Sequence, residues 1–93
     1  MSKYAALGNH LRRKNEKVVI LSFSEIERII GAPLPGSATA YRQWWANSPN
    51  NHPQARAWTS AGYTVVSVQL GKKGFVTFRK PGSGFWERIL FGS

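Results

Sequence analysis

Thr39, Arg42 and Gln43 recur at three- and four-residue spacing, and Gln54, Arg56, Thr59 and Ser60 form a second polar group further along the chain. Such side chains match base edges: a guanidinium fits guanine O6 and N7, and an amide fits adenine N6 and N7. Lys72 and Lys73 stand between Gly71 and Gly74, and Arg12, Arg13 and Lys14 are consecutive. Both sets supply point charges for phosphate. Catalytic chemistry is poorly provided for. The chain has no Asp and no Cys, and His10 and His52 lie far apart with no ligand spacing around either. Glu25 and Glu27, two positions apart on one helix, point in different directions. There is no phosphate-binding glycine loop and no carboxylate cluster for Mg²⁺. The residues point to a non-enzymatic protein that uses no cofactor and no metal.

The elements that would position these groups follow from periodicity. Tyr4, Leu7 and Leu11 predict a first helix over about 3–14, although Gly8 weakens it. Val18-Val19-Ile20-Leu21 predicts a short buried strand. Ser22 and Glu25 fit a capping box, with Leu21 and Ile26 as its hydrophobic staple, and Gly31 ends that second helix after Ile30. Pro33 and Pro35 force an extended connection. Ser37 predicts the N-cap of a third helix through about Asn47, with Ala38, Tyr41, Trp44, Trp45 and Ser48 on one side and Thr39, Arg42, Gln43 and Ala46 on the other. Pro53 predicts the first position of a fourth helix to Ala61, closed by Gly62. In that helix Ala55, Trp58 and Ala61 point inward, and Arg56, Thr59 and Ser60 outward. Tyr63 to Leu70 and Phe75 to Lys80 alternate as an antiparallel pair, with Thr64, Val66, Val68 and Leu70 on one face of the first strand and Val76 and Phe78 on one face of the second.

The 93 residues carry 13 Lys plus Arg against 4 acidic residues, a formal net charge of +9, with a pI near 10.7. A hydrophobic share of 42% and an aromatic share of 13% exclude a disordered basic tail and imply one folded domain. The charge is not uniform. The segment 18–35 sets Arg28 against Glu25 and Glu27, whereas 1–17, 36–61 and 62–80 hold the excess. No run approaches the length of a membrane span and the first residues lack an apolar leader core, so a cytoplasmic protein without membrane contact is expected.

The order helix, strand, helix, connection, two helices, hairpin predicts an α+β, winged helix-turn-helix-like domain over 1–80, with the hairpin as the wing. Duplex DNA is the expected partner, through Arg12, Arg13, Thr39, Arg42, Gln43, Gln54, Arg56, Thr59, Lys72 and Lys73. Chemistry favours the helix from Ser37 as the recognition helix, and chain order favours the helix from Pro53. Trp44, Trp45 and Trp58, at helical spacing beside Tyr41, fit a core better than a base-stacking platform. Residues 81–93 read as a Gly/Ser break and a short tail. Its Phe85, Trp86, Ile89 and Leu90 carry the alternative, a protein-interaction module or a phage or plasmid inhibitor that binds a host protein through its basic surface and this tail, or a second copy of itself through the tail.

The stretch Ser22-Phe23-Ser24-Glu25-Ile26-Glu27-Arg28-Ile29-Ile30-Gly31, then Leu34 to Ala38, Tyr41 to Asn47 and Gln54 to Val65, resembles a widespread, functionally uncharacterised family of small bacterial and phage domains. That family shows the patterns F-x-E-I-E-x-I-[LI]-G, L-P-x-S-A, W-W-x-N and Q-A-x-A-W-x-x-A-G-[WY]-x-V. The resemblance covers about residues 4–80 and implies a domain without supplying a mechanism. Where the pattern commonly has a second proline and an acidic hairpin, this chain has Gly36 and the Lys72-Lys73 tip.

Overall fold

The computed structural model describes residues 3–80. Helix α1 (Ala5–Lys14) leads into strand β1 (Val18–Ser22) and helix α2 (Phe23–Ile30). Two short helices follow, α3 (Gly36–Ala40), continued by a 3-10 turn Arg42–Trp45, and α4 (Arg56–Thr59), preceded by a 3-10 turn Pro53–Ala55. Strands β2 (Thr64–Gln69) and β3 (Phe75–Arg79) complete a three-stranded antiparallel sheet of order β1-β3-β2. This is a small α+β domain, and its arrangement is compatible with a winged helix.

Local chemistry accounts for α2. The Ser22 hydroxyl accepts from the Glu25 amide at 3.0 Å, the Glu25 carboxylate accepts from the Ser22 amide at 3.0 Å, and Gly31 closes the helix with φ 71°. The bond from the Ser22 amide is the main cause that holds the Glu25 carboxyl below its usual range. Leu21 and Ile26 are both buried, as a staple requires. The Gly8 that weakens α1 by propensity is required by packing. A Cβ there would stand 2.5 Å from the Ala57 carbonyl oxygen, so α1 and α4 approach too closely for any other residue.

The helices expected from Ser37 and Pro53 are broken and shorter. Ser37 lies inside α3, whose N-cap is Pro35, and Tyr41 leaves the helix in an extended conformation with φ −129° and ψ 124°. Tyr41 therefore points to solvent, 63% exposed, instead of joining the inner stripe. Re-entry as a 3-10 turn puts Trp45 in the core, where its indole N–H donates to the Ala38 carbonyl at 2.7 Å. Pro53 does sit at the start of its turn, yet only Arg56–Thr59 is α-helical and Ala61 is half-buried.

Both strand expectations change in one respect. β1 is an edge strand, so Val19 and Leu21 are buried while Val18 and Ile20 are exposed. In β2 the register shifts between Val65 and Ser67: Val65 pairs with Phe78, Ser67 with Thr77 and Val68 with Val76. This bulge at Val66 reverses the alternation. Val65 and Val68 consequently share the core side with Phe78 and Val76, and Val66 and Leu70 are exposed.

The core is held by a chain of rings. Phe23 stacks on Trp45 at 5.9 Å, Trp45 on Trp58 at 5.6 Å, and Trp58 meets Phe78 edge-on at 6.0 Å. Trp45 and Trp58 are buried and Trp44 is half-buried, the packing role their spacing predicts.

Candidate nucleic-acid interface

The hairpin connection is anchored at both of its glycines. The Gly71 amide donates to the Thr39 carbonyl at 3.2 Å, which ties the turn to α3, and the Phe23 amide donates to the Gly74 carbonyl at 3.0 Å, which ties it to α2. Gly74 is buried so tightly that a Cβ would stand 2.1 Å from the Gln69 carbonyl oxygen and 2.3 Å from the Phe23 ring. Between these anchors the turn closes through Gly74 N–H to Gly71 O at 3.0 Å, leaving Lys72 and Lys73 exposed at the tip. A docked turn of this kind presents its charges at a set place without ordering them anew on binding.

Beyond Thr39 the chain carries Arg42 and Gln43, both exposed, along a groove of about 310 Å³ whose other wall is Val65 to Val68 of β2. The Gly71–Thr39 bond sets the base of the wing turn against α3, three and four residues before Arg42 and Gln43. The Thr39 hydroxyl donates to the Gly36 carbonyl at 3.1 Å, a bond on the exposed side, and remains able to accept.

Arg12 and Arg56 lie elsewhere, on either side of a cleft between α1 and α4. Arg12 donates to Asn9 Oδ1 at 3.1 Å and to Ser60 Oγ at 3.2 Å. Arg13 and Lys14 are exposed in the last turn of α1, where cations complement the helix dipole. Together with burial, the larger effect, these two cations hold the neighbouring His10 imidazole below its usual pKa, and Glu25 offsets part of the shift. Two candidates are engaged inside the fold. Gln54 Nε2 donates to the Trp44 carbonyl at 2.8 Å, and the Thr59 hydroxyl donates to the Ala55 carbonyl at 2.9 Å. Phe85, Trp86, Ile89 and Leu90 lie outside the described residues.

Among the described residues no three His, Asp or Glu side chains gather in a way that would hold a metal ion, and no helix is long and apolar enough to cross a membrane. A family described as a domain of unknown function, DUF7662, matches residues 4–81. The chain belongs to that family. No curated protein and no solved structure matches the chain. The DUF7662 region begins at Tyr4, the residue before α1, and ends just past Lys80, so it coincides with the described fold and includes the wing.

Within this DUF7662 domain the residue that reading by charge passes over is Asn47. Its Oδ1 accepts from the Trp58 indole at 2.8 Å and from the Val65 amide at 2.8 Å, and its Nδ2 donates to the Val65 carbonyl at 3.0 Å. One amide side chain thereby pairs with the outer edge of β2 as a neighbouring strand would, and satisfies a buried indole. The W-W-x-N pattern contains this residue but does not reveal its partners. Glu27 is a second such case: its carboxylate accepts from the Leu34 amide at 2.7 Å and fixes the proline connection.

Proposed function

We propose that this is a small non-enzymatic protein that binds nucleic acid, duplex DNA in particular, on the side formed by α3, the 3-10 turn after it and the wing. The proposal rests chiefly on the hydrogen bond from Gly71 to Thr39, which holds the Lys72-Lys73 tip beside the segment carrying Arg42 and Gln43. The lysines serve as phosphate contacts and fix register, while Arg42, Gln43 and Thr39 are the groups able to read base edges. Gln54 and Thr59 make the segment before the hairpin the weaker reader, because both side chains are half-buried and bonded to backbone carbonyls, whereas Arg42 and Gln43 are exposed. A cytoplasmic, nucleoid-associated role in transcription control or mobile-element regulation, in a family spread through bacteria and phages and marked by the four motifs above, belongs to the same proposal.

Titration of the full chain with a labelled duplex across a salt series tests it. Lys72→Glu with Lys73→Glu is expected to weaken binding at least about tenfold and to lower the slope of log K against log salt by about 2, since each phosphate contact contributes about 0.9. Absent or salt-independent duplex binding at low ionic strength would remove the proposal.

A second reading, a module that binds a host protein or a second copy of the chain, has its own support. Val18, Ile20 and Phe75 are exposed large apolar residues on the sheet, and register places Ser22 opposite Phe75 and Ile20 opposite Thr77 on the side away from the core. Deleting 81–93 distinguishes the two: loss of a protein complex or dimer with duplex binding intact favours the module.

A further inference from the structure

The cleft between α1 and α4 is left unused by the proposed duplex contact, and its lining is unusual in charge. It has a volume of about 370 Å³, within the range of small-molecule sites, and Arg12 and Arg56 stand at it with no acidic residue among the groups that line it. Arg12 is positioned by two neutral acceptors, Asn9 Oδ1 and Ser60 Oγ, so its charge is oriented without being neutralised. A guanidinium has five N–H donors, and two such bonds leave the others for a ligand. The Ser60 amide donates to the Arg56 carbonyl at 3.0 Å, one helical turn. Arg56 and Ser60 therefore lie on the same side of α4, and the bond from Arg12 to Ser60 brings the two guanidinium groups to one cleft. Two guanidinium groups at one cleft with no carboxylate leave its positive charge uncompensated, and arginine is the side chain best shaped to take phosphate through two parallel hydrogen bonds.

Beyond Asn9, Ser60 and Gln54, the rest of the lining is apolar or aromatic. Gly8 and Ala57 form the close contact at its base, and Tyr4, whose ring meets Trp44 edge-on at 5.6 Å, supplies an aromatic wall. Guanidinium groups on the two walls, beside a ring and small apolar residues, suit a phosphate joined to a flat body, and a rigid duplex is too wide to enter. We infer that the α1–α4 cleft binds a small phosphate monoester with a planar base, of the nucleoside monophosphate kind, at a site separate from the wing.

Calorimetric titration of the full chain with AMP, inorganic phosphate and adenosine tests this. AMP is expected to bind saturably at one site per chain, phosphate more weakly, and adenosine not at all. Arg12→Gln and Arg56→Gln are each expected to lower AMP affinity at least about tenfold. Arg56, being exposed, gives a variant whose fold does not depend on the side chain, so its result stands even if Arg12→Gln unfolds. Arg13→Gln, on the same helix but outside the cleft, and the Lys72→Glu, Lys73→Glu pair are expected to leave AMP binding unchanged. That pair also keeps this test independent of the duplex proposal. The inference is overturned by absence of saturable AMP binding, by equal binding of adenosine, by an unchanged affinity in Arg56→Gln, or by a loss in Arg13→Gln or in the lysine pair as large as that in Arg56→Gln.

Discussion

Helix α2 and the segment 41–62 are both part helical and both contribute to the same core, yet they are held by opposite means. The bonds that define α2 at its start run between Ser22 and Glu25, three residues apart, and its end is a left-handed glycine. In 41–62 the organising bonds span longer distances: Asn47 to Trp58 and Val65, Gln54 to Trp44, and Arg12 of α1 to Ser60. Its helical pieces are three or four residues long against eight in α2, and they have no side-chain cap of their own, so they depend on partners elsewhere. A segment with weak local preference is shaped by what it must satisfy elsewhere, and here that is a buried indole and the edge of a sheet.

Three measurements of urea unfolding bear on this contrast. Asn47→Ala is expected to be the most damaging, by about 2 kcal/mol, because it leaves the buried Trp58 indole without its acceptor and removes both bonds to the Val65 backbone on the exposed edge of β2. Ser22→Ala is expected to cost about 1 kcal/mol, the usual loss of an N-cap. Were Ser22→Ala the more costly of the two, the view that 41–62 depends on distant partners more than α2 does on local ones would fail. Glu25→Gln is expected to have the smallest effect, because glutamine can also reach back to the Ser22 amide. Its signature is in pH. The Glu25 carboxyl is held low in the folded state, so its contribution is complete above the unfolded carboxyl pKa and disappears as pH falls through the folded value. The wild type should therefore lose more stability than Glu25→Gln between neutral pH and acid, and parallel pH profiles would show that the reciprocal cap carries no net charge effect.

The same contrast governs the cations. Lys72 and Lys73 are recognisable as a hairpin tip because glycines flank them and alternating strands precede and follow. That the tip is docked against α3 depends on Gly71 meeting Thr39, residues more than thirty positions apart, which no spacing rule connects. Arg12 and Arg56 look like members of a general basic surface until packing of Gly8 on Ala57 brings α1 and α4 together. Gln54 and Thr59 have the right chemistry for base edges, but the fold half-buries them and holds one donor of each on the carbonyls of Trp44 and Ala55.

What the sequence determined by itself was the part whose physics is local: the capping box and glycine stop of α2, the proline connection, the alternation of β3, the order of elements and the uneven charge. The tertiary structure alone decided where 36–47 breaks at Tyr41, how the bulge at Val66 turns Val65 inward, and that the positive groups divide between a wing side and an α1–α4 cleft. The reason is range. Capping and alternation depend on neighbours within a few residues, whereas a one-turn helix, a bulge or the placing of Arg12 and Arg56 at one cleft holds only when distant groups supply the hydrogen bonds and packing.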